Sequence, residues 1–306
     1  MDNVCHTLVG AALGAAGLKQ RTRFGHAALM VSANLPDLDV LVYATGAPAV
    51  AFRRGWTHGV GAQLFLPVLL VGVLWLVGRR GSVTRGRPPL HMGWLLVLSS
   101  VGVFSHVCLD YLNNYGIRLL TPFAWQWFYG DALFIIDPWL WLMLGAGVWL
   151  TGRWRAPTAA RVALALGAVY VAAMMVTAHI ARAAVEDAWL QSRGAEPRTL
   201  MVGPVPVIPF RREIIVDAGD RYVTGRFVWP SSVVFDPEEI RKNDQAPEIA
   251  RARAASADVR GLLVWSRFPY WTLEPAQGGT RVTLGDVRFM TRGVGFSAST
   301  VVGGQP

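Results

Sequence analysis

Four long stretches almost free of charge constrain this chain before any motif is considered. Residues 60–78 carry no charged side chain, and 92–112 are interrupted only by His106 and Asp110. Residues 132–151 hold one acid, Asp137, and 162–178 hold none. A helix that spans a bilayer takes about 20 mostly apolar residues, so four spanning helices are expected. Two earlier runs, 4–18 and 25–33, are short and rich in Ala and Gly. They are expected to be short helices packed on the bundle, since small side chains allow close backbone approach. Composition agrees: charged residues make up 16% of the chain, against about 25% in soluble domains.

The net charge of +9 raises the question of nucleic acid, and its distribution answers it. Lys19, Arg21 and Arg23, then Arg79, Arg80, Arg85 and Arg87, then Arg153, Arg155 and Arg161, all sit in short links between apolar runs. Residues 182–306 are nearly balanced, with 16 basic and 14 acidic side chains. Basic links of this kind mark the cytoplasmic side of a membrane protein, and no nucleic-acid partner is expected. Links 79–87 and 152–161 are therefore assigned inside. Residues 113–131, the start of the helix at 60, and everything past 181 are assigned outside. The expectation is a multi-pass protein of a bacterial cytoplasmic (inner) membrane, in contact with membrane lipids.

Beyond 181 the pattern changes. Short alternating runs at 213–216, 222–228, 261–268, 270–274 and 280–290 read as strands, with Gln277-Gly278-Gly279 as a hairpin turn. Residues 237–257, rich in Ala, Glu and Arg, read as a helix. The expected fold is thus an α-helical integral membrane bundle, four spanning helices plus one or two short N-terminal helices, with a C-terminal extracytoplasmic α+β domain. The boundaries are 1–181 for the bundle, 182–296 for the second domain and 297–306 for a disordered tail. Cys5 and Cys108 lie in apolar runs and are expected to be small buried residues, with no disulfide framework.

Ionisable groups at the edges of spanning helices are costly, and they mark candidate sites. His106 and Asp110 are four apart and share one helix face. His58 precedes the helix at 60, Asp37 and Asp39 lie between apolar runs, and His6 opens the first one. Under the topology above all of them reach the same membrane face. Singly, each has a plain structural role: an interfacial His, a helix cap, or a hydrogen bond between helices. Together they form a donor set suited to Zn²⁺, with Mn²⁺ or Fe²⁺ as alternatives, and to one ion or two. Such a site supports hydrolysis of an ester or phosphoester. Asp39 or Asp137 is the candidate general base, and Arg54 and Asn113 are candidate substrate contacts. The location suggests a lipid or lipid-linked substrate. The alternatives are a non-enzymatic membrane anchor with a structural His/Asp cluster, and a transporter. Charges gathered at one face argue against the transporter.

These residues also carry a family resemblance. Arg53-Arg54-Gly55-Trp56-Thr57-His58-Gly59, Asn34-Leu35-Pro36-Asp37-Leu38-Asp39 and Ser105-His106-Val107-Cys108-Leu109-Asp110 resemble, in that set, the motifs of the YdjM family of membrane-bound metal-dependent hydrolases. Residues 113–116 and Leu120-Thr121-Pro122-Phe123 resemble the sequel to its Ser-His block, and His6 matches its early His. The resemblance covers residues 1–150. It implies His6, Asp37, His58, His106 and Asp110 as metal ligands, with Asp39 as ligand or supporting group. A weaker likeness, in the His and Asp pattern alone, extends to zinc-dependent phospholipase C proteins. Val40 and Arg53 stand where the family often has His, which argues against a full two-metal ligand set.

Overall fold

The computed structural model describes residues 1–80, 88–290 and 296–303. Part of the basic link 79–87 and the end of the C-terminal tail therefore lie outside the described residues. Contacts divide the chain into two units. The first comprises residues 1–39, 54–177 and 204–209; the second comprises 40–53, 178–203 and 210–306.

The first unit is helical. α1 (Asn3–Ala15) starts at Asp2, whose carboxylate accepts the Val4 and Cys5 N–H groups, meeting two of the donors that a helix start leaves unpaired. α2 (Gly25–Ser32) returns antiparallel to α1, and both are the short helices expected. A 3-10 segment, Leu35–Ala44, follows α2, and α3 (Ala49–Phe52) belongs to the second unit. Next come α4 (Val60–Arg80), α5 (Met92–Tyr111), α6 (Pro138–Trp154) and α7 (Thr158–Arg193). α7 begins in the first unit and continues into the second.

Among the described residues three helices, α4, α5 and α7, are long and apolar enough to cross a membrane. A fourth span exists only if α2 and the Leu35–Ala44 segment are one broken crossing. The apolar run at 132–151 is helical only in its later part, and α6 is one residue short of the length those three helices meet. Asp137 caps α6 by accepting the Trp139 and Leu140 N–H groups, so residues before it are not helical and α6 has only 17 residues.

α2 packs on α1, α4 and α5, and Ala28, Leu29, Val71, Leu95 and Leu98 form one buried cluster. Two glycines set the approach. A Cβ on Gly10 of α1 would lie 2.7 Å from the Leu29 carbonyl oxygen, and one on Gly102 of α5 would lie 2.9 Å from the same atom and overlap Ser32 Oγ. α1 and α5 therefore pack on α2 at backbone distance, which small residues permit. Of the two cysteines, Cys5 is buried as expected, whereas Cys108 is exposed on the surface of α5.

The unit is electrically polarised. Its six carboxylates, Asp2, Asp37, Asp39, Asp110, Asp131 and Asp137, all lie where α1, α4 and α6 start and α2 and α5 end. Backbone bonds tie that end together, including Asp2 N to Ile135 O (3.0 Å), Val60 N to Leu119 O (3.1 Å) and Ala132 N to Leu112 O (2.8 Å). At the opposite end lie Lys19, Arg21, Arg23, Arg79, Arg153, Arg155 and Arg161. That end is tied by His91 N to Thr22 Oγ1 (2.9 Å) and Arg161 Nε to Ala16 O (2.9 Å).

The second unit contains two antiparallel sheets. β1 (Thr199–Pro204), β2 (Arg211–Asp217), β3 (Arg221–Val228) and β4 (Ser232–Arg241) pair in sequence order. Their inner face packs with the end of α7 around Ala181, Val185, Trp189, Ile214, Val216, Val223 and Phe227. After β4 come α8 (Pro247–Ala255) and α9 (Ala257–Trp265), then β5 (Pro269–Ala276), β6 (Gly279–Asp286) and β7 (Ser297–Val302) in the second sheet. The hairpin at 277–279 stands where expected. Three expectations are corrected. The chain expected to be helical from 237 is strand to Arg241. The expected strand 261–268 is mostly α9, which Ser256 caps by accepting the Val259 N–H. Ser297–Val302, expected as disordered tail, is a strand paired antiparallel along β6, from Ser297 opposite Gly285 to Val302 opposite Thr280.

A buried ion pair ties α9 to the second sheet. Asp286 is fully enclosed and accepts Ser266 Oγ (2.6 Å), the Arg267 and Arg288 N–H groups (2.8 and 3.0 Å) and Arg288 Nε (2.8 Å). The Arg288 guanidinium lies over the Trp265 ring at 4.4 Å. Burial opposes the Asp286 charge, but the Arg288 guanidinium and these donors outweigh it and hold the carboxyl below its ordinary value. A depressed native pKa adds stability above the unfolded value, near pH 4, that is lost as pH falls through the native one. Asp286→Asn should cost about 3–5 kcal/mol at neutral pH, as breaking a buried pair does. It should also remove the acid-dependent loss of amide-exchange protection over residues 265–288. An unchanged acid profile in the variant would contradict this assignment.

Candidate metal centre

Four side chains from three separate stretches of the first unit converge. Asp37, His58, His106 and Asp110 each offer one donor atom, all within 4.8 Å of one another, and all four residues are buried. His106 and Asp110 come from the last turns of α5, one helical turn apart. His58 comes from the turn before α4, and Asp37 from the 3-10 segment after α2. The close packing at Gly10 and Gly102 is what makes the convergence possible, because it sets α1, α2 and α5 side by side at this end.

The protonation pattern follows from the hydrogen bonds. His106 Nδ1 lies 2.7 Å from the Ala33 carbonyl oxygen, which can only accept, so Nδ1 carries the proton and Nε2 in the neutral ring is a bare lone pair. His58 Nδ1 lies 3.0 Å from Thr57 Oγ1. The Thr57 hydroxyl itself donates to Asp39 Oδ2 at 3.1 Å, so His58 Nδ1 is the donor to Thr57 and His58 Nε2 is bare as well. The two Nε2 atoms face each other at 3.1 Å. Asp110 Oδ2 lies 3.3 Å from one and 3.5 Å from the other, and Asp37 Oδ1 is 4.0 Å from His106 Nε2. Two imidazole lone pairs aimed at one small volume, with the Asp37 and Asp110 carboxylates at its edge, repel each other unless a positive charge lies between them. Neutral imidazole with carboxylate is the donor chemistry of Zn²⁺ and related divalent ions, and the residues fit such an ion.

The remaining expected site residues surround this group in distinct places. His6 is adjacent, outside the four: its ring stacks on His106 at 3.8 Å, and its Nε2 lies 3.3 Å from Asp110 Oδ1. Asp39 stands behind His58, accepting Thr57 Oγ1 and the Arg54 backbone N–H (2.6 Å), with His58 Nδ1 at 3.7 Å. This is the outer position from which a carboxylate orients a ligating imidazole. Arg54 is buried against the centre. Its Nε lies 3.0 Å from Asp110 Oδ2, and it also donates to Asp110 Oδ1 (3.2 Å) and Asn113 Oδ1 (3.0 Å). The Met1 ammonium also pairs with Asp110. Asn113 Oδ1 accepts the Tyr115 N–H as well, at 2.8 Å. Asp37 is steadied by Asn3 Nδ2 at 3.1 Å.

Asp137 is placed apart from the four. Its Oδ1 caps α6 and its Oδ2 accepts the Tyr170 hydroxyl at 2.9 Å, so helix capping accounts for it. Besides Met1 and Asn3, two participants that set the histidine tautomers were not singled out from the sequence. Thr57 could have been, since a hydroxyl directly before a ligand His is well placed to set its tautomer. The Ala33 carbonyl could not, because a backbone acceptor has no residue-type signature.

Thr57→Val keeps the side-chain shape and removes the acceptor of the His58 proton. It should weaken binding of a divalent cation by about 10–100-fold, as loss of an outer-shell partner does. Thr57→Ser should restore it. Calorimetric titration of the purified chain with Zn²⁺ tests this, and equal affinity in wild type and Thr57→Val would contradict the tautomer assignment.

Comparison with known proteins places these observations in a family context. Residues 1–181 match the YdjM inner membrane protein family. The uncharacterized protein YfhP of Bacillus subtilis (strain 168) is 24% identical over 307 residues, covering 96% of this chain and 88% of its own length. That similarity therefore extends beyond the bundle into the second unit. No solved structure matches.

Proposed function

From the premise that this chain belongs to the YdjM inner membrane protein family, we propose that it is a membrane-bound metal-dependent hydrolase of ester or phosphoester bonds. The observation that carries the reading is the pair of bare Nε2 atoms of His58 and His106, 3.1 Å apart and flanked by two carboxylates. When bound, a divalent ion supplies Lewis acidity toward an ester or phosphoester oxygen and acidifies a water ligand. His58 and His106 give the nitrogen donors, and Asp37 and Asp110 bring the compensating negative charge. Asp39, through Thr57, holds His58 in the tautomer that points its lone pair inward. Arg54 holds Asp110 in place from the other side, and with Asn113 marks where an anionic group would meet the centre. Asp39 acts through another residue, so it is a positioning group in this scheme and not the general base.

The polarity of the bundle supports a topology. Basic helix ends are retained in the cytoplasm, so the end holding the His/Asp centre faces outward, and the chain that follows α7 is extracytoplasmic. A substrate reached from that side at membrane level is lipid or lipid-linked.

One observation favours a second reading. His58, His106 and Asp110 are each 0% exposed, as in a structural site that fastens helices together in a non-enzymatic anchor. Detergent-purified protein should hold stoichiometric transition metal and hydrolyse a member of a lipid and phosphoester panel, with Asp110→Ala inactive and metal-free. Metal without turnover, together with a fall in Tm on chelation, selects the structural reading. A metal saturated to about 100 times its Kd contributes about 2.7 kcal/mol, so that fall is measurable. Absence of metal from a folded wild-type chain contradicts both.

A further inference from the structure

The basic end of the bundle, opposite the His/Asp centre, contains a second feature. A groove of about 480 Å³ opens beside the link between α1 and α2. Lys19, Arg23 and His26 form its polar rim, and Phe24, Ala27 and Met30 its apolar part. We propose that this groove is a binding site for the headgroup and first acyl segment of an anionic phospholipid. The proposal is independent of the hydrolase reading.

Three observations carry it. The first is charge: the sequence has no Asp or Glu between residues 3 and 36, between 40 and 109, or between 138 and 185. Every element that meets at this end comes from those ranges, so the rim cations have no carboxylate to neutralise them. The second is the engagement of the side chains. Neighbouring basic groups are already committed, Arg21 over the Trp94 ring at 5.0 Å and Arg161 to the Ala16 carbonyl. Arg23 rests on Phe24 at 5.0 Å, and its buried Nε has no hydrogen-bond partner among the described residues. An anion at the rim would accept from it.

The third is shape. Ala27 and Met30 are three apart on α2, so they extend one helix face away from the rim. Ala27 is exposed and Met30 half-buried, and Val31 beside them is 44% exposed. A cationic rim continued by an apolar helical track matches a charged headgroup with a chain attached, and a free anion would use only the rim. Basic pockets of this kind on the cytoplasmic side of membrane helices hold anionic headgroups.

The test is native mass spectrometry of the full chain released from nanodiscs of phosphatidylglycerol or of phosphatidylcholine. Wild type should retain phosphatidylglycerol and shed phosphatidylcholine. Lys19→Gln/Arg23→Gln should lower retention by about thirtyfold, the effect of removing two basic groups from an anionic surface. Lys19→Gln alone, a change at an exposed side chain, should lower it about fivefold and serves if the double variant does not fold. Arg153→Gln/Arg155→Gln, equally basic and at the same end, should retain lipid like wild type. Equal loss in the two double variants would reduce the effect to general surface charge and overturn the proposal. So would equal retention of phosphatidylcholine. Displacement of the lipid by millimolar inorganic phosphate would make the rim a free-anion site and overturn the lipid assignment.

Discussion

Two imidazole nitrogens that both point a lone pair at the same place are the constraint on which the rest of this structure turns. In its neutral form His106 cannot turn its Nε2 into a donor without losing the Ala33 carbonyl, and neutral His58 cannot without breaking the Thr57–Asp39 hydrogen bond. Leaving the pair facing each other in a buried site costs electrostatic energy that low local polarity magnifies. A positive species between them removes the cost. A single proton would satisfy the two nitrogens; Asp110 already faces the Arg54 guanidinium, whereas Asp37 meets the neutral Asn3 amide. A divalent cation would answer all four donors together, and the cluster could hold one.

The helix packing serves that convergence. α1 and α2 are too short to stand as ordinary spans, and their value lies in contact. Gly10 and Gly102 let α2 press its backbone against α1 and α5. The Ala33 carbonyl that follows α2 then reaches His106, and the first turns of α1 place His6 on the His106 ring. Enclosing a carboxylate such as Asp110 is expensive without partners, and Arg54 supplies one even before any ion is considered. The carboxylates are concentrated at this end and the arginines of the links at the other, so a single charge gradient runs along the bundle. Membrane insertion reads that gradient as orientation.

Much of this was legible in the sequence because membrane segments and their ionisable residues are costly and therefore sparse. The apolar runs at 60–78, 92–112 and 162–178 could be nothing but long helices. Asp37, His58, His106 and Asp110 stood out because so few charges compete with them. What the sequence could not show was how an apolar run is divided. Residues 132–136 are as apolar as α6 itself, yet Asp137 starts the helix after them by capping it. The second unit misled for a related reason. Gly261–Leu262–Leu263–Val264 has the composition of a strand, and the helix there rests on the Ser256 cap and on packing of Val259, Leu262 and Trp265. The small and polar residues of β7 likewise look disordered until β6 offers them a ladder. Those are tertiary decisions, invisible to local pattern.

The account is tested most directly at the ion itself, by X-ray absorption at the metal edge of protein purified with its native metal content. Two imidazole rings among the nearest neighbours, at about 2.0–2.1 Å, with carboxylate oxygens completing the shell, are the predicted result. One ring should be lost in His58→Ala and one in His106→Ala. A shell of oxygens alone, or one unchanged by either substitution, would contradict it.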